Sequence, residues 1–516
     1  MKVSIPLRVK EVRYESSTDP HNDPLHTPRF SFPISFLPLR AYLLALVILS
    51  IITGTTATTG TGCVCNYNPN VDYFPVKYQP DAAKLFTIEY FNSYKKVTAT
   101  KAPTGQTFVT YAYLCGTPAP IVNETGASLV QVPITTAAVT STTFLPMIEY
   151  INQQNSLVYI AADASTFTAC EVALYDNKQL AAGYVYAVSS ELSFIDKIAI
   201  NRTGAPLDVI FMDDYYFKPQ TIDLFKQATN ATAIYVGEQD EATMLAQLEW
   251  MEYVSVFYNQ EVAAQDVILH IEGRYNCLKQ LVSENPLNKV KPVVSWGSCY
   301  VESGTWYCSV GQCGDYYDYL LQDAGAVLYC SKPETVNVSR MMEVVNQTTF
   351  WFYVDGNFDR PSEFSPQFYN LTEFPGLQYL VPVMKKQVFD LLGGFLTDWF
   401  NYGFAQPDVV LMDILQSLYG SQAYGLGGRT SVFFRNVFTE PAASQTPRTA
   451  SQCTNPNAPL YTGWLSGPCS TLNIAVPSYP SVTLCNHTAS PSAGINNNIG
   501  NLPILFLTIA FVMIGY

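Results

Sequence analysis

The hydrophobic positions change rhythm twice along the chain. Between about residues 71 and 236, short β-prone runs at 129–134, 157–161, 207–212 and 233–236 alternate with longer mixed segments. That pattern predicts strands separated by helices in a largely parallel sheet. From 241 to 282 turn residues nearly vanish and the period lengthens. Ala264, Ile268, Ile271, Tyr275, Leu278 and Val282 recur at alternating spacings of four and three, as do Met244, Leu248, Met251, Val254 and Tyr258. Such spacing lays one apolar stripe along a helix and predicts packing rather than chemistry. After Asn285 and Pro286, strands return at 292–296, 326–329 and 350–354, with helical stretches at 316–323 and 383–400. The expected fold class is α/β: two lobes, each with a largely parallel central sheet flanked by helices, joined by a long rigid α-helix.

The boundaries that follow are 58–240 for the first lobe, 241–283 for the bridging helical segment and 284–440 for the second lobe. Residues 441–492 are rich in Ser, Thr, Pro and Asn yet hold Cys453, Cys469 and Cys485. They are read as a stalk with local disulfide knots.

Both ends carry short apolar runs. Residues 41–52 (AYLLALVILSII) are uncharged, follow Arg40 and precede small residues, with a cleavage point after Ala57. Residues 1–57 are therefore read as a signal peptide with a long n-region, a signal anchor being the alternative. Residues 502–516 (LPILFLTIAFVMIGY) follow a polar, uncharged spacer and the small residues Ser492, Ala493 and Gly494. Residues 493–516 thus match a glycosylphosphatidylinositol anchor signal, with a short membrane helix as the alternative.

Composition sharpens this picture. Charged residues make up only 14% of the 516, while hydrophobic residues reach 48%, so the surface must be polar largely through Ser, Thr, Asn, Gln and Tyr. The net charge of −14 becomes about −16 when residues 1–57 are removed, leaving 22 basic against 38 acidic residues. That sign opposes the long-range attraction a nucleic acid would need. All 12 Cys lie after Ala57, an even number without any Cys-x-x-Cys pair, and predict disulfides. Seven glycosylation sequons begin at Asn123, Asn201, Asn230, Asn337, Asn346, Asn370 and Asn486. The expected location is the secretory pathway and the extracellular face of the plasma membrane.

The stretches KLFTIEYFNSYKKVT (84–98), YLCGTPAP (113–120), VPITTAAVTSTTFLPMIEYI (132–151), LEWMEYVSVFYNQEVAAQ (248–265) and GDYYDYLLQDAGA (314–326) carry a resemblance. With the order lobe, helix, lobe, they resemble the TroA-like solute-binding proteins of ABC importers that carry siderophores, haem, cobalamin or metal ions. They look like a eukaryotic, surface-anchored branch of that family. The resemblance covers about residues 72–400 and contains no catalytic signature. It implies a ligand in the cleft between the lobes, where open α/β sheets generally bind at the carboxyl ends of their strands. Carried over by position, it implies Ser141, Thr142, Thr143, Asp213, Asp214 and Tyr215 in the first lobe. In the second lobe it implies Trp296, Trp306, Tyr307 and Asp355.

Hydroxyls and aromatic rings suit a bulky amphipathic chelate. A His-rich metal site is out of reach: His21 and His26 precede the cleavage point, His270 lies in the helix and His487 in the tail. Anionic chelates call for Arg clusters, absent from the candidate loops. A neutral or cationic hydroxamate-type iron chelate is expected, ahead of haem or cobalamin, and a membrane reductase, receptor or transporter must take it onward. No cofactor and no enzymatic activity are expected. His270 is poorly placed as a catalytic base, and GLGGR (425–429) lacks the Lys-Ser/Thr of a phosphate loop. The alternatives are a structural or adhesive coat protein without ligand, and a carbohydrate-active hydrolase using Asp213 and Asp214.

Overall fold

The structure is a computed structural model that describes residues 62–102, 104–162, 164–182, 207–285, 287, 290–330, 335–355, 369, 371, 373–427, 431–453 and 469. The signal-peptide and anchor segments, Cys485 and the sequons at Asn201, Asn370 and Asn486 lie outside the described residues.

The first lobe opens with a sheet the hydrophobic pattern did not announce. Strands β1 (Phe86–Tyr90), β2 (Tyr94–Lys101) and β3 (Gln106–Leu114) form an antiparallel meander, and β4 (Ser128–Val132) joins β3 in parallel. In β2 the buried positions Lys95, Val97 and Ala99 alternate with half-exposed ones. Lys95 hides this alternation in the sequence, because its ammonium group is buried against Glu261. Two carboxylates pin the chain leading into the meander. Glu249 accepts the N–H groups of Asp81, Ala82 and Ala83, and Glu241 those of Lys84 and Leu85.

The lobe's main sheet has the order β7-β6-β5-β8-β9, every pair parallel. Its strands are β5 (Ala137–Val139), β6 (Leu157–Ile160), β7 (Ala181–Ala182), β8 (Val209–Met212) and β9 (Thr232–Tyr235). LVYI of β6 and VIFM of β8 are buried at every position, as strands covered on both faces must be. Helices α1 (Leu145–Glu149), α2 (Ala169–Asp176) and α3 (Pro219–Thr229) supply crossovers.

The bridging segment is three helices rather than one: α4 (Met244–Leu248), α5 (Trp250–Tyr258) and α6 (Glu261–Glu284). Asn259, left-handed at φ 55°, ends α5 by donating its N–H back to Val256, a conformation Asn tolerates better than most side chains. Every residue of α5 is buried, so this helix belongs to the first lobe's core. Helix α6 is the connector, about 36 Å long at 1.5 Å per residue. Its predicted stripe is buried throughout. Ala264, Ile268 and Ile271 enter the first lobe's core, and Tyr275, Leu278 and Val282 the second's.

The second lobe's sheet has the order β13-β10-β15-β16-β17. Strands β10 (Val293–Trp296), β13 (Val327–Leu328), β15 (Phe350–Tyr353) and β16 (Val388–Asp390) run parallel, and β17 (Arg435–Asn436) antiparallel. A separate antiparallel sheet of β11 (Cys299–Glu302), β12 (Thr305–Ser309) and β14 (Thr335–Val336) leaves the end of β10. Helices α7 (Tyr316–Asp323) and α8 (Val338–Val345) flank this lobe.

The helical expectation over 383–400 is corrected. The segment holds α9 (Val381–Met384), then β16, then α10 (Leu396–Tyr402), followed by α11 (Pro407–Tyr419). Lys386 at φ 56° turns the chain out of α9, and Val388–Asp390 pairs with β15 instead of continuing a helix. Gly393 then passes so close to Phe434 that a Cβ would lie 2.6 Å from its carbonyl oxygen.

The disulfides also depart from expectation. Cys63–Cys115, Cys299–Cys308 and Cys313–Cys330 staple their own lobes, and Cys65 is disulfide-bonded as well. Cys453 and Cys469, expected in local knots of a stalk, instead pair with Cys170 of α2 and Cys277 of α6, separations of 283 and 192 residues. The chain beyond 440 is tied to the body of the molecule at both points.

Candidate functional site

Strand order selects the site before any side chain does. From β5 the chain winds outward through β6 to β7, then returns to the other side of β5 for β8 and β9, so the winding reverses between β5 and β8. In the second lobe it reverses between β10 and β15. At such a switch point the loops leaving the carboxyl ends of adjacent strands diverge and open a crevice. The two sets of strand-end loops approach each other. Thr397 and Asn401 of α10, just beyond β16, donate to the Thr166 carbonyl beyond β6, at 3.4 and 3.1 Å.

On the first lobe, Ser141 caps a short 3-10 turn over Thr142–Phe144, its Oγ accepting from Thr143 N–H and lying 2.8 Å from Thr143 Oγ1. Thr143 Oγ1 donates to Glu238 Oε1 at 2.6 Å. Thr142 is half-buried in the same turn. Across the switch point, Asp213 accepts the Tyr216 N–H at 3.0 Å while its own N–H donates to Thr140 Oγ1. Asp214 pairs with Lys101. Tyr215, 66% exposed, presents its ring to solvent with Lys218 Nζ 4.6 Å from its centroid. The structure therefore brings Ser141, Thr142, Thr143, Asp213, Asp214 and Tyr215 to adjacent strand ends of one sheet.

The sequence reading passed over Glu238. Only 1% exposed in the loop after β9, it accepts from Thr143 and feels the charge of Asp213. Burial, then the charges of Asp213 and Asp240, push its pKa up to about 7 against the pull of the Thr143 bond. Burial first, and the Asp214 charge in part, also raise Asp213. The signal was GEQD immediately after a β-branched run, an acidic pair at a strand end. It went unused because it fell at an expected lobe boundary.

The raised pKa of Glu238 has a sign. The folded state holds its proton to higher pH than the unfolded chain, so this contribution is complete below about pH 4.5 and lost as pH rises through about 7. Glu238→Gln should flatten part of that decline and leave the variant more stable than the parent at pH 8, by up to about 3 kcal/mol. Glu272, also raised to about 7 by burial, keeps its share of the slope. Urea denaturation of both proteins at pH 5 and pH 8 checks this; equal pH dependence would contradict it.

The second lobe's candidates do not converge. Trp296 is 4% exposed, its ring enclosed by Tyr317, Phe352, Trp399 and Phe434 at centroid distances of 5.4 to 5.9 Å, in the middle of the lobe's core. Trp306 donates its indole N–H to Glu373 at 2.8 Å and packs edge-on to Phe374. Tyr307 stacks on Tyr300 across the β11–β12 hairpin, both rings partly exposed. Asp355 ties the end of β15 to the loop after β16, its N–H donating to Tyr353 O and its carbonyl accepting from Leu391.

The lobes also meet through buried polar groups. Tyr402 of α10 donates to Glu149 at 2.7 Å, and Gln406 donates to the Tyr150 hydroxyl. Glu149 and Glu171 are hydrogen-bonded to each other; burial first, then the Glu171 charge, raise Glu149 well above the usual carboxylate range. Arg274 of α6 bonds Asp408 of α11 at 2.8 Å. His270 lies on α6 with Nδ1 2.6 Å from the Asp266 carbonyl, well away from these strand ends in sequence and spent on its own helix.

No family model matches the chain. It is 26% identical over 322 residues to an uncharacterized lipoprotein of Methanocaldococcus jannaschii, a match covering 59% of this chain and 69% of that one. The chain is similar in structure to periplasmic binding proteins. One is a periplasmic heme-binding protein from Pseudomonas aeruginosa, with a TM-score of 0.41 and 12% identity, covering 56% of this chain and 93% of that one. Another is a periplasmic binding protein from Veillonella parvula, with a TM-score of 0.43 and 14% identity, covering 63% and 98%. A third is the TroA-like periplasmic binding protein FepB from Veillonella parvula, with a TM-score of 0.38 and 15% identity, covering 61% and 88%.

Proposed function

We propose that this chain is a cell-surface solute-binding protein that captures a neutral or cationic iron chelate in the cleft between its lobes and delivers it for uptake. The observation that carries this reading is a topological switch point in each lobe, with the loop after β6 of the first lobe meeting α10, beyond β16 of the second, at Thr166. The first-lobe wall combines hydroxyls at Ser141 and Thr143, the exposed ring of Tyr215, and the carboxyl groups of Asp213, Asp214 and Glu238. Such a wall repels anionic chelates, attracts cationic ones and leaves neutral ones unopposed. Competition binding with neutral, cationic and anionic ferric chelates tests the choice. Binding by the anionic class alone would overturn it.

Disulfides across both lobes fit an oxidising, extracellular setting. Sequon residues Asn123, Asn230, Asn337 and Asn346 are exposed. Asn337 and Asn346 use Oδ1 to accept from the Arg340 and Val381 N–H groups, which leaves Nδ2 for a glycan. A lipid anchor at 493–516, and a membrane reductase, receptor or transporter that accepts the ligand, complete the proposal.

A further inference from the structure

The lobes are joined a second time, by a segment that crosses the edge of the cleft. Leaving β17, the chain runs back along the loop after β16. Ala443 donates its N–H to Leu392 O at 2.9 Å. Gln445 Oε1 accepts from Leu396 N–H while its amide nitrogen donates to Gly394 O, at 2.9 and 3.0 Å. Arg448 then grips Asp398 of α10 with both carboxylate oxygens at 2.7 and 2.6 Å, its guanidinium 4.8 Å above the Phe395 ring. Up to this point the segment belongs to the second lobe. After a single 3-10 turn, Ala450–Gln452, it becomes part of the first through Cys453–Cys170. Cys170 lies in the first turn of α2, whose capping box of Thr168 and Glu171 fixes that turn in place.

From these contacts we infer that residues 441–453 are a strap that fixes the angle between the lobes, so that the cleft exchanges its contents by small openings and not by a wide swing about α6. Four residues lie between Arg448 on the second lobe and Cys453, disulfide-bonded to the first, and even fully extended the five steps reach at most about 18 Å. While Arg448 holds Asp398, that length caps the opening of this edge. Pro441 and Pro447 stiffen the approach, because each fixes its own φ. The contacts of α10 with Thr166 and Glu149 join the same two lobes, so the strap and these hydrogen bonds hold one interface.

The test cuts the strap after folding. A recognition site for a sequence-specific protease is inserted between Arg448 and Thr449 of the full glycosylated chain, and the purified protein is cleaved to completion. Hydrogen exchange is then followed at Phe167 and Val172 in the first lobe and at Gly403 and Ala405 in the second, with small-angle scattering for the lobe separation. Cleavage should speed exchange at these amides at least tenfold and raise the radius of gyration, while the β11–β12 hairpin is unchanged. Unaltered exchange and scattering after complete cleavage would overturn the inference, since the remaining contacts would then set the angle alone. The variant Cys170→Ala/Cys453→Ala should behave like the cleaved protein; if it does not fold, the cleavage result stands by itself. Neither arm uses a ligand, so its outcome is separate from that of the binding proposal.

Discussion

Replacing Arg435 with methionine should cost about 3 to 5 kcal/mol of stability, because it strands a buried carboxylate. Arg435 and Asp390 face each other across β16 and β17, both buried, joined by two parallel hydrogen bonds of 2.8 Å. Arg435 also donates to the Glu440 carbonyl at 3.2 Å, at the point where the chain leaves the sheet to become the strap. The pair thus fixes β17 and the root of the lobe-to-lobe connection together. Removing both partners as Arg435→Met/Asp390→Leu should recover much of the loss, since the uncompensated charge disappears with its partner. Urea denaturation of the two variants gives the answer. A loss below about 1 kcal/mol for the single variant would mean that the pair is not buried as described.

Trp296→Ala should cost a similar amount, about 3 to 5 kcal/mol, as one of two tryptophans in an aromatic cluster is removed. Its position at the end of β10 invites a ligand contact, yet the ring points into the lobe's core among Tyr317, Phe352, Trp399 and Phe434. The damage should therefore appear in stability. Tyr215→Ala makes the contrasting case: its ring is exposed, so stability should change by less than about 0.5 kcal/mol while ligand affinity falls. A stable Trp296→Ala protein with selectively weakened binding would contradict the packing assigned to this residue.

How far the sequence could be read depended on whether neighbours or distant partners decide each residue. The stripe on α6 was legible because its period is local, and every predicted position is buried. The central strands were legible as unbroken apolar runs. The first sheet was not, because buried Lys95 interrupts the apolar face of β2 and owes its place to Glu261, 166 residues away. The segment 383–400 looked helical by period, and only pairing with β15 makes a strand of Val388–Asp390. Cys453 and Cys469 looked local because connectivity cannot be read from spacing, and their partners lie 283 and 192 residues away.

The site was legible to the same degree. Strand ends could be located, and the first-lobe hydroxyls and acids do lie at adjacent ends. Which way a side chain points at such an end is a matter of tertiary packing: Trp296 turns inward, Tyr215 outward, and Glu238 is drawn in by Thr143. The disulfides at Cys453 and Cys469 also set what must be kept when the protein is produced, because ending the chain at 440 would leave Cys170 and Cys277 without partners.

The most direct test of the binding account is thermal unfolding of the secreted, glycosylated chain against ferric chelates of each charge class, haem and cobalamin. A ligand present at about 100 times its dissociation constant adds about 2.7 kcal/mol to the folded state, a shift of several degrees. The account predicts such a shift with neutral or cationic ferric chelates, reduced in Tyr215→Ala. No shift with any member of the panel would contradict it.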